Sequence, residues 1–318
     1  MMCGQKWTKS QNRYSIYQVM NKKNLSGLQN FKVLDSSHEW TLFHNDFSLC
    51  SRKVRICLNE LNIKYNSEHV HIIETSDSEN LNKKFLKINP TGTVPVLLHK
   101  GFPIYESHEQ IKYIESQSAS YLSKNDIVDS WIKRGSLVGE PDKDFDTYAG
   151  NCIAILTPPL FVSMLKKIPL YKFFRYYLNH PSKFRSVKFI MFKLFGYSVF
   201  KKNSPLYKLA SLSAKNLEIH LSDLNKHLSN NVWIGGDQFS LADITWMVIL
   251  HRLEEIQLFD KFSFNKKNLN EYYNNLKRRK SFVECILNFN HHSIETGITR
   301  LKKEISKNKD LTSYYSSI

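Results

Sequence analysis

Ser48 and Cys50 stand two residues apart where a short β-like run (41–44) gives way to a helical pattern. Val54, Leu58 and Leu61 fall at i, i+4 and i+7, an apolar stripe of helical period, and Cys50 begins that stripe one turn earlier. Ser48 stands where an N-cap oxygen can accept an orphan backbone N–H. Unpaired N–H groups and the helix dipole favour an anion at such a place, and the natural anion is a thiolate, the protein's own or a ligand's. Ser48 has two readings: a hydroxyl that donates to that thiolate, or a helix cap and nothing more. Cys50 also has two. Thiol–disulfide exchange needs an accessible thiol that ionises readily, and a helix start beside Arg52 and Lys53 supplies the setting. The alternative is a small apolar core residue on the Val54 stripe, which is also the reading of Cys57 one turn deeper.

The elements that must position these residues follow in order. A first strand is expected at Trp40–His44 and a first helix over 48–61. A second strand alternates over 68–73, and a short helix is expected over 78–85. The apolar runs 94–98 and 102–105 flank His99-Lys100-Gly101, a hairpin signal, and Ser107-x-x-Gln110 reads as a capping box opening a helix over 107–116. This βαβ-α-ββα order is the thioredoxin-like arrangement. A linker near 117–125 leads to a half that reads helical throughout, clearest over 127–138, 204–228 and 240–256, so the class is α+β. In the last of these, Ser240 and Asp243 form a Ser-x-x-Asp box between Phe239 and Ile244 at the staple positions, a signature of local folding without chemistry. Arg278, Arg279 and Lys280 end a helix, where cations complement the dipole.

Composition bounds the rest. A chain of 318 residues, 42% of them hydrophobic, accommodates two ordinary cores, and no apolar run reaches the ~18 residues of a membrane span. Five cysteines, an odd number without a Cys-x-x-Cys pair, argue against a disulfide framework or zinc site and for a reducing, cytoplasmic compartment. The histidines show no His-Glu-x-x-His pattern; His69 and His71 alternate like a strand and His291-His292 reads as solvated tail, so no metal is expected. The net charge of +16 raises nucleic acid or an anionic membrane as partners, but no zinc finger, RNP-like motif or recognition helix supports nucleic acid. The charge is concentrated: between Asp146 and Glu218 there is no acidic residue and there are twelve lysines and arginines. Residues 1–37 are basic and polar, read as a flexible extension, and 291–318 as a polar tail.

The segment Ser-Leu-Cys-Ser-Arg-Lys-Val-Arg-Ile (48–56) resembles the first helix of zeta-class glutathione transferases and of the tetrachlorohydroquinone reductive dehalogenases. Val94-Pro95 and Glu106-Ser107 stand where glutathione transferases hold the tripeptide, and Phe239-Ser240-Leu241-Ala242-Asp243-Ile244 is similar to the capping box of their helical domain. Leu250-His251-Arg252-Leu253, Tyr272-Tyr273 and Arg278-Arg279-Lys280-Ser281-Phe282 resemble the dehalogenases and the ganglioside-induced differentiation-associated proteins. The resemblance runs in ordered pieces over roughly residues 40–290. It implies a thioredoxin-like glutathione-binding domain (38–118), an all-helical substrate-site domain (125–290) with a basic aromatic insertion (158–203), a homodimer, and glutathione as co-substrate.

The resemblance also implies roles. Ser48 would donate to the glutathione sulfur, and Cys50 would attack a glutathione conjugate and leave as a mixed disulfide. Thr93, Val94 and a cis Pro95 would meet the cysteinyl unit, while Glu106 and Ser107 would hold the γ-glutamyl ammonium and carboxylate. Arg52, Lys53 and Arg55 either flank the glycyl carboxylate or are exposed helix charges. The expected reaction is attack of a glutathione thiolate on an electrophile, by conjugation or by reductive removal of a substituent. A maleylacetoacetate-type isomerase is the rival, weakened by Leu49 and Thr93 in place of that class's usual serine and glutamine. A non-catalytic relative at a membrane surface is the other. The insertion, aromatic and lysine-rich over 161–200 and broken at Pro169, Pro181 and Gly196, is expected to form a lid of short helices, with anionic membrane contact secondary.

Overall fold

In the computed structural model, which describes residues 25–318 apart from 120, 121, 123, 124, 140–143, 145 and 146, the apolar run Val96-Leu97-Leu98 becomes the middle strand of a five-stranded sheet. The strands are β1 (Gly27–Leu28), β2 (Trp40–His44), β3 (Asn66–His69), β4 (Val96–His99) and β5 (Phe102–Tyr105), ordered β1-β5-β4-β2-β3. Only β2 and β3 are parallel, joined across helix α1 (Leu49–Glu60); α2 (Lys83–Ile88) precedes the β4–β5 hairpin, and α3 (Ser107–Gln117) follows it. Both faces of β4 are covered, which is why it reads as a continuous apolar run. Val96 and Leu98 meet Phe85 and Ile88 of α2, while Leu97 joins the core shared with α1 and α3. The hairpin turns at Lys100 (φ 52°) and Gly101 (φ 87°), both left-handed as a two-residue turn requires, and a Cβ on Gly101 would stand 2.1 Å from the Leu34 carbonyl oxygen. The thioredoxin-like arrangement is present.

Three expectations change. The flexible extension expected over 1–37 does not reach residue 37. Residues 1–24 lie outside the described residues, but β1 pairs with β5 (Gly27 opposite Tyr105, Leu28 opposite Ile104), and Val33 is buried with its N–H on the Gly101 carbonyl at 3.0 Å. A two-residue strand has no period to read, and its pairing partner is remote in sequence. Likewise β3 ends at His69, because Asn45 donates from Nδ2 to the Val70 carbonyl (3.0 Å) and Thr75 Oγ1 (3.0 Å), taking the chain out of the ladder. The third change is in α2, which starts after Asn82, whose side chain accepts from the Phe85 N–H at 2.7 Å, with a 3-10 turn at Glu79–Leu81 before it.

The second layer is helical: α4 (Asp126–Gly135), α5 (Ala149–Leu156), α6 (Pro158–Leu165), α7 (Leu170–Asn179), α8 (Lys183–Phe195), α9 (Pro205–His227), α10 (Leu241–Glu255), α11 (Phe259–Ser263) and α12 (Lys267–Lys277). A short α13 (Lys280–Phe282) runs into a π-helical turn. Every residue of α10 except Glu254 is buried. Its start is fixed by the expected box: Ser240 donates from its N–H (2.8 Å) and hydroxyl (2.5 Å) to Asp243, which also accepts from Tyr272 Oη at 2.8 Å.

The polar tail is a fourth correction. Residues 292–318 form α14 (His292–Ile305) and α15 (Lys309–Ser317), burying Ile294, Leu301, Leu311 and Tyr314. Ile294, Ile298, Leu301 and Ile305 keep helical spacing beneath the lysines, and Gly297 lets α14 close on Met164 of α6, where a Cβ would come within 2.4 Å of that side chain. His291 accepts from the Ser293 N–H at 3.2 Å and lies 5.6 Å from the ring of His71, so it is an N-cap and not solvated tail. Deleting residues 291–318 should therefore lower stability by at least roughly 3 kcal/mol, since each of the four side chains contributes about 1.5–3 kcal/mol by burial. A denaturant midpoint unchanged by the deletion would show the two helices to be dispensable.

Candidate functional site

The first turns of two helices, α1 and α3, both reach the loop that precedes β4. Ser48 is the N-cap of α1: its Oγ accepts from the Ser51 N–H at 3.2 Å, and its hydroxyl reaches the Val94 carbonyl at 3.4 Å. The two readings of Ser48 are thus compatible, because the cap uses a lone pair and leaves the proton for another acceptor. The Val94 bond is long, so a better acceptor would displace it. The Val94–Pro95 peptide is cis. Among the described residues the Val94 N–H has no partner. The backbone here therefore presents a free donor and a weakly engaged acceptor side by side.

This loop is braced from three directions. Asn80 donates to the Gly92 carbonyl (2.7 Å), Asn89 to the Thr93 carbonyl (2.8 Å) and hydroxyl (3.0 Å), and Gln110 to the carbonyls of Pro95 (3.2 Å) and Ile104 (2.7 Å). Gln110 corrects an expectation. It does not close a capping box on Ser107; the N-cap of α3 is Glu106, at φ 65°, with no side-chain cap bond. Gln110 instead ties the first turn of α3 to the Val94–Pro95 loop. Ser107 is buried and its side chain bonds to nothing among the described residues, so its hydroxyl and the orphan N–H groups of α3 are available to an anion. Thr93 is exposed at the rim.

The basic residues of α1 overturn the exposed-charge reading: Arg52, Lys53 and Arg55 are all buried. Arg52 makes a bidentate bond to Glu255 of α10 (2.9 and 2.8 Å), and Arg55 donates to the carbonyls of Asn45 and Cys285 at 3.0 Å. These two lock the helix between the layers. Lys53 differs: it is 3% exposed, bonds to nothing among the described residues, and lies in electrostatic reach of Cys50 and Glu106. Burial lowers its ammonium pKa, and those two acidic groups oppose the shift. Partial desolvation likewise raises the Glu106 carboxyl, against the pull of Lys53. Lys53 stands three residues after Cys50, on one helix face, and that spacing was the available signal for it.

Cys50 is half-buried, whereas Cys57, Cys152 and Cys285 are buried. Burial pushes the Cys57 thiol well up and the Cys285 thiol up to about 12. Brief iodoacetamide treatment should therefore alkylate Cys50 ahead of those three, by peptide mapping; equal labelling of Cys57 would contradict the burial pattern. The opposite wall comes from the insertion. Phe161 stacks edge-on against Phe47 (5.7 Å) and leans on Phe189 (5.5 Å), and Arg185 of α8 lies in electrostatic reach of Cys50 and 4.0 Å from Glu74. No residue pattern announced Arg185, because only the packing of α8 carries it there.

The sequence profile for the glutathione S-transferase N-terminal domain matches residues 47–117, and that for the C-terminal domain matches 191–286. Glutathione S-transferase TCHQD of Arabidopsis thaliana is 23% identical over 265 residues, 77% of this chain and 88% of that protein. Tetrachloro-p-hydroquinone reductive dehalogenase of Sphingobium chlorophenolicum is 21% identical over 252 residues, 77% of this chain and 94% of its own. The solved structure of the beta-etherase LigF from Sphingobium sp. strain SYK-6 superposes with a TM-score of 0.61 at 18% identity, covering 79% of this chain and 99% of that one. With both family domains matched in order, on a thioredoxin-like sheet followed by a helical layer, the chain belongs to the glutathione S-transferase family.

Proposed function

We propose that the protein is a glutathione-dependent transferase in which Ser48 holds the glutathione sulfur as a thiolate for attack on an electrophile. The observation that carries this is the convergence of the Ser48 hydroxyl, the unpaired N–H and weakly engaged carbonyl of Val94, and the uncapped start of α3 at Glu106 and Ser107. The tripeptide matches these groups in chemistry: its cysteinyl backbone pairs with Val94, strand against strand, beside Thr93 and Pro95. Its γ-glutamyl ammonium goes to Glu106, and its carboxylate to Ser107 and the helix N-terminus.

A reductive branch through Cys50 is favoured by that thiol's exposure between Lys53 and Arg185, two cations able to attract an anionic sulfur. In that branch the Cys50 thiolate attacks the sulfur of a glutathione conjugate. The S–S bond forms as the carbon–sulfur bond breaks, and its electron pair leaves with the carbon, which takes up a proton. A second glutathione thiolate then releases Cys50 from the mixed disulfide as oxidised glutathione.

Titration calorimetry with glutathione tests the site. Glu106→Ala should weaken binding by roughly tenfold or more, the worth of a charge-assisted bond of about 1.5–3 kcal/mol, and more than Cys50→Ala does. A wild-type protein without measurable affinity for glutathione would end this reading.

A further inference from the structure

The insertion has an inner face and an outer one, and both are apolar. Phe173 and Tyr176 of α7, and Phe189 and Phe192 of α8, are buried against the helical layer. On the outer side of α7, Tyr171, Phe174 (58% exposed) and Leu178 (72%) succeed one another at helical spacing. On α8, Phe184 (68%), Val187, Met191 and Leu194 do the same. The lid expectation that the aromatics pack inward therefore holds for only one side of each helix. Two adjacent helices presenting large apolar side chains to water form a patch of the kind that marks an interaction surface.

The surroundings of the patch select its partner. From 147 to 217 there is no acidic residue, and the carboxylates that reach these helices come from the first layer, Asp77 at 3.5 Å from Lys172 and Glu74 at 4.0 Å from Arg185. Lys166, Lys167 and Arg175 are exposed and pair with no carboxylate among the described residues. Lys183 sits between the helices, its ammonium donating to the carbonyls of Tyr177 (2.7 Å) and Leu178 (3.0 Å), and Lys188 lies over the Phe184 ring at 4.3 Å. Aromatic and aliphatic side chains flanked by cations, with Lys166, Lys167 and Arg175 facing no carboxylate among the described residues, suit an interface with acyl chains beneath and anionic head groups above. No described helix is long and apolar enough to cross a membrane, so the contact is peripheral.

We infer that the outer face of α7 and α8 docks the protein on anionic phospholipid membranes. Because α8 also carries Arg185 toward Cys50, docking would hold the candidate site at the bilayer edge, where lipophilic electrophiles concentrate. The inference is independent of which sulfur reacts.

The test is co-sedimentation of the full chain with vesicles of phosphatidylcholine alone and of phosphatidylcholine with about one-third phosphatidylserine, at ~0.15 M salt. The expected result is pelleting with the anionic vesicles and at least tenfold weaker pelleting with the neutral ones. Two variants should each lose at least tenfold of the anionic binding: Phe174→Asp with Leu178→Asp and Phe184→Asp, and Lys166→Glu with Lys167→Glu and Arg175→Glu. All six side chains are exposed, so unchanged circular dichroism and glutathione affinity are expected. Absence of pelleting by the wild type, equal pelleting on both vesicles, or an apolar variant that pellets like the wild type would overturn the inference. A wild type that ignores vesicles yet changes from dimer to monomer on the Phe174, Leu178 and Phe184 substitutions, by light scattering, would assign the face to a second copy instead.

Discussion

Replacing Ser48 by alanine should slow glutathione conjugation by roughly 10²-fold, the usual cost of removing one preorganised donor from a developing or resident anion. The loss has to be separated from the capping role, because the Ser48 oxygen also accepts from the Ser51 N–H at 3.2 Å. Ser48→Gly makes the separation: glycine caps a helix to within a few tenths of a kcal/mol of serine but carries no hydroxyl. Both variants should therefore be slow, the glycine one with near wild-type stability, and Ser48→Thr should recover part of the rate. Cys50→Ser should leave conjugation nearly intact while stopping any reductive turnover at the glutathione conjugate. Mass spectrometry should find a glutathione–Cys50 mixed disulfide during reductive turnover by the wild type. If that adduct is absent and Cys50→Ser turns over unchanged, Cys50 has only a packing role. If Ser48→Gly conjugates at the wild-type rate, Ser48 is a cap alone.

The second large effect is on stability. Glu255→Ala should cost roughly 3–5 kcal/mol, because it leaves buried charges without their partner. Glu255 accepts from both terminal nitrogens of Arg52 and stands 3.2 Å from Arg252, whose own guanidinium reaches the Phe47 carbonyl and lies over the Phe47 ring at 3.8 Å. One carboxylate thus serves two buried guanidiniums and fixes the residue just before Ser48. Glutathione affinity should fall along with stability. The Arg279–Glu60 pair also bridges the two layers but is partly exposed, so Glu60→Ala should cost less than Glu255→Ala; the reverse order in urea titrations would refute the clamp.

Acid separates the contributions further. Burial alone would raise the Glu255 carboxyl, but Arg252, Arg52 and His251 outweigh it and hold the group well below the usual carboxylate range. Its contribution is therefore present above the unfolded value of about 4.3 and is lost only as pH falls through that low folded value. His44 behaves differently: burial and then Arg55 lower it from 6.5 to about 3. Its neutral ring bonds Arg55 through Nδ1 at 3.1 Å and Ser67 through Nε2 at 2.7 Å. That stability is complete above 6.5 and drains away as pH falls from there toward about 3. Loss of stability in this window should flatten in His44→Asn, while Glu255 stays ionised through most of it.

The order of strands and helices from Trp40 through Gln117, the Ser240–Asp243 box and the hairpin at His99-Lys100-Gly101 were all legible in the sequence, because each depends on residues within a few positions of one another. Periodicity also held the C-terminal helices, in Ile294, Ile298, Leu301 and Ile305, although surrounding lysines and serines made that segment read as a tail. Pairing between distant segments was not legible: β1 on β5, Gln110 on Pro95, Arg52 on Glu255, Arg185 toward Cys50. Charge was the property most misread. A run such as Arg52-Lys53-x-Arg55 looks solvated on a helix, and only a second layer supplying a carboxylate and free carbonyls can bury it. The same holds inverted for the insertion, whose composition is strongly apolar as well as basic. Which of its aromatics meet the core and which meet water depends on the rotation of α7 and α8 about their axes, and packing against the remaining helices decides that rotation.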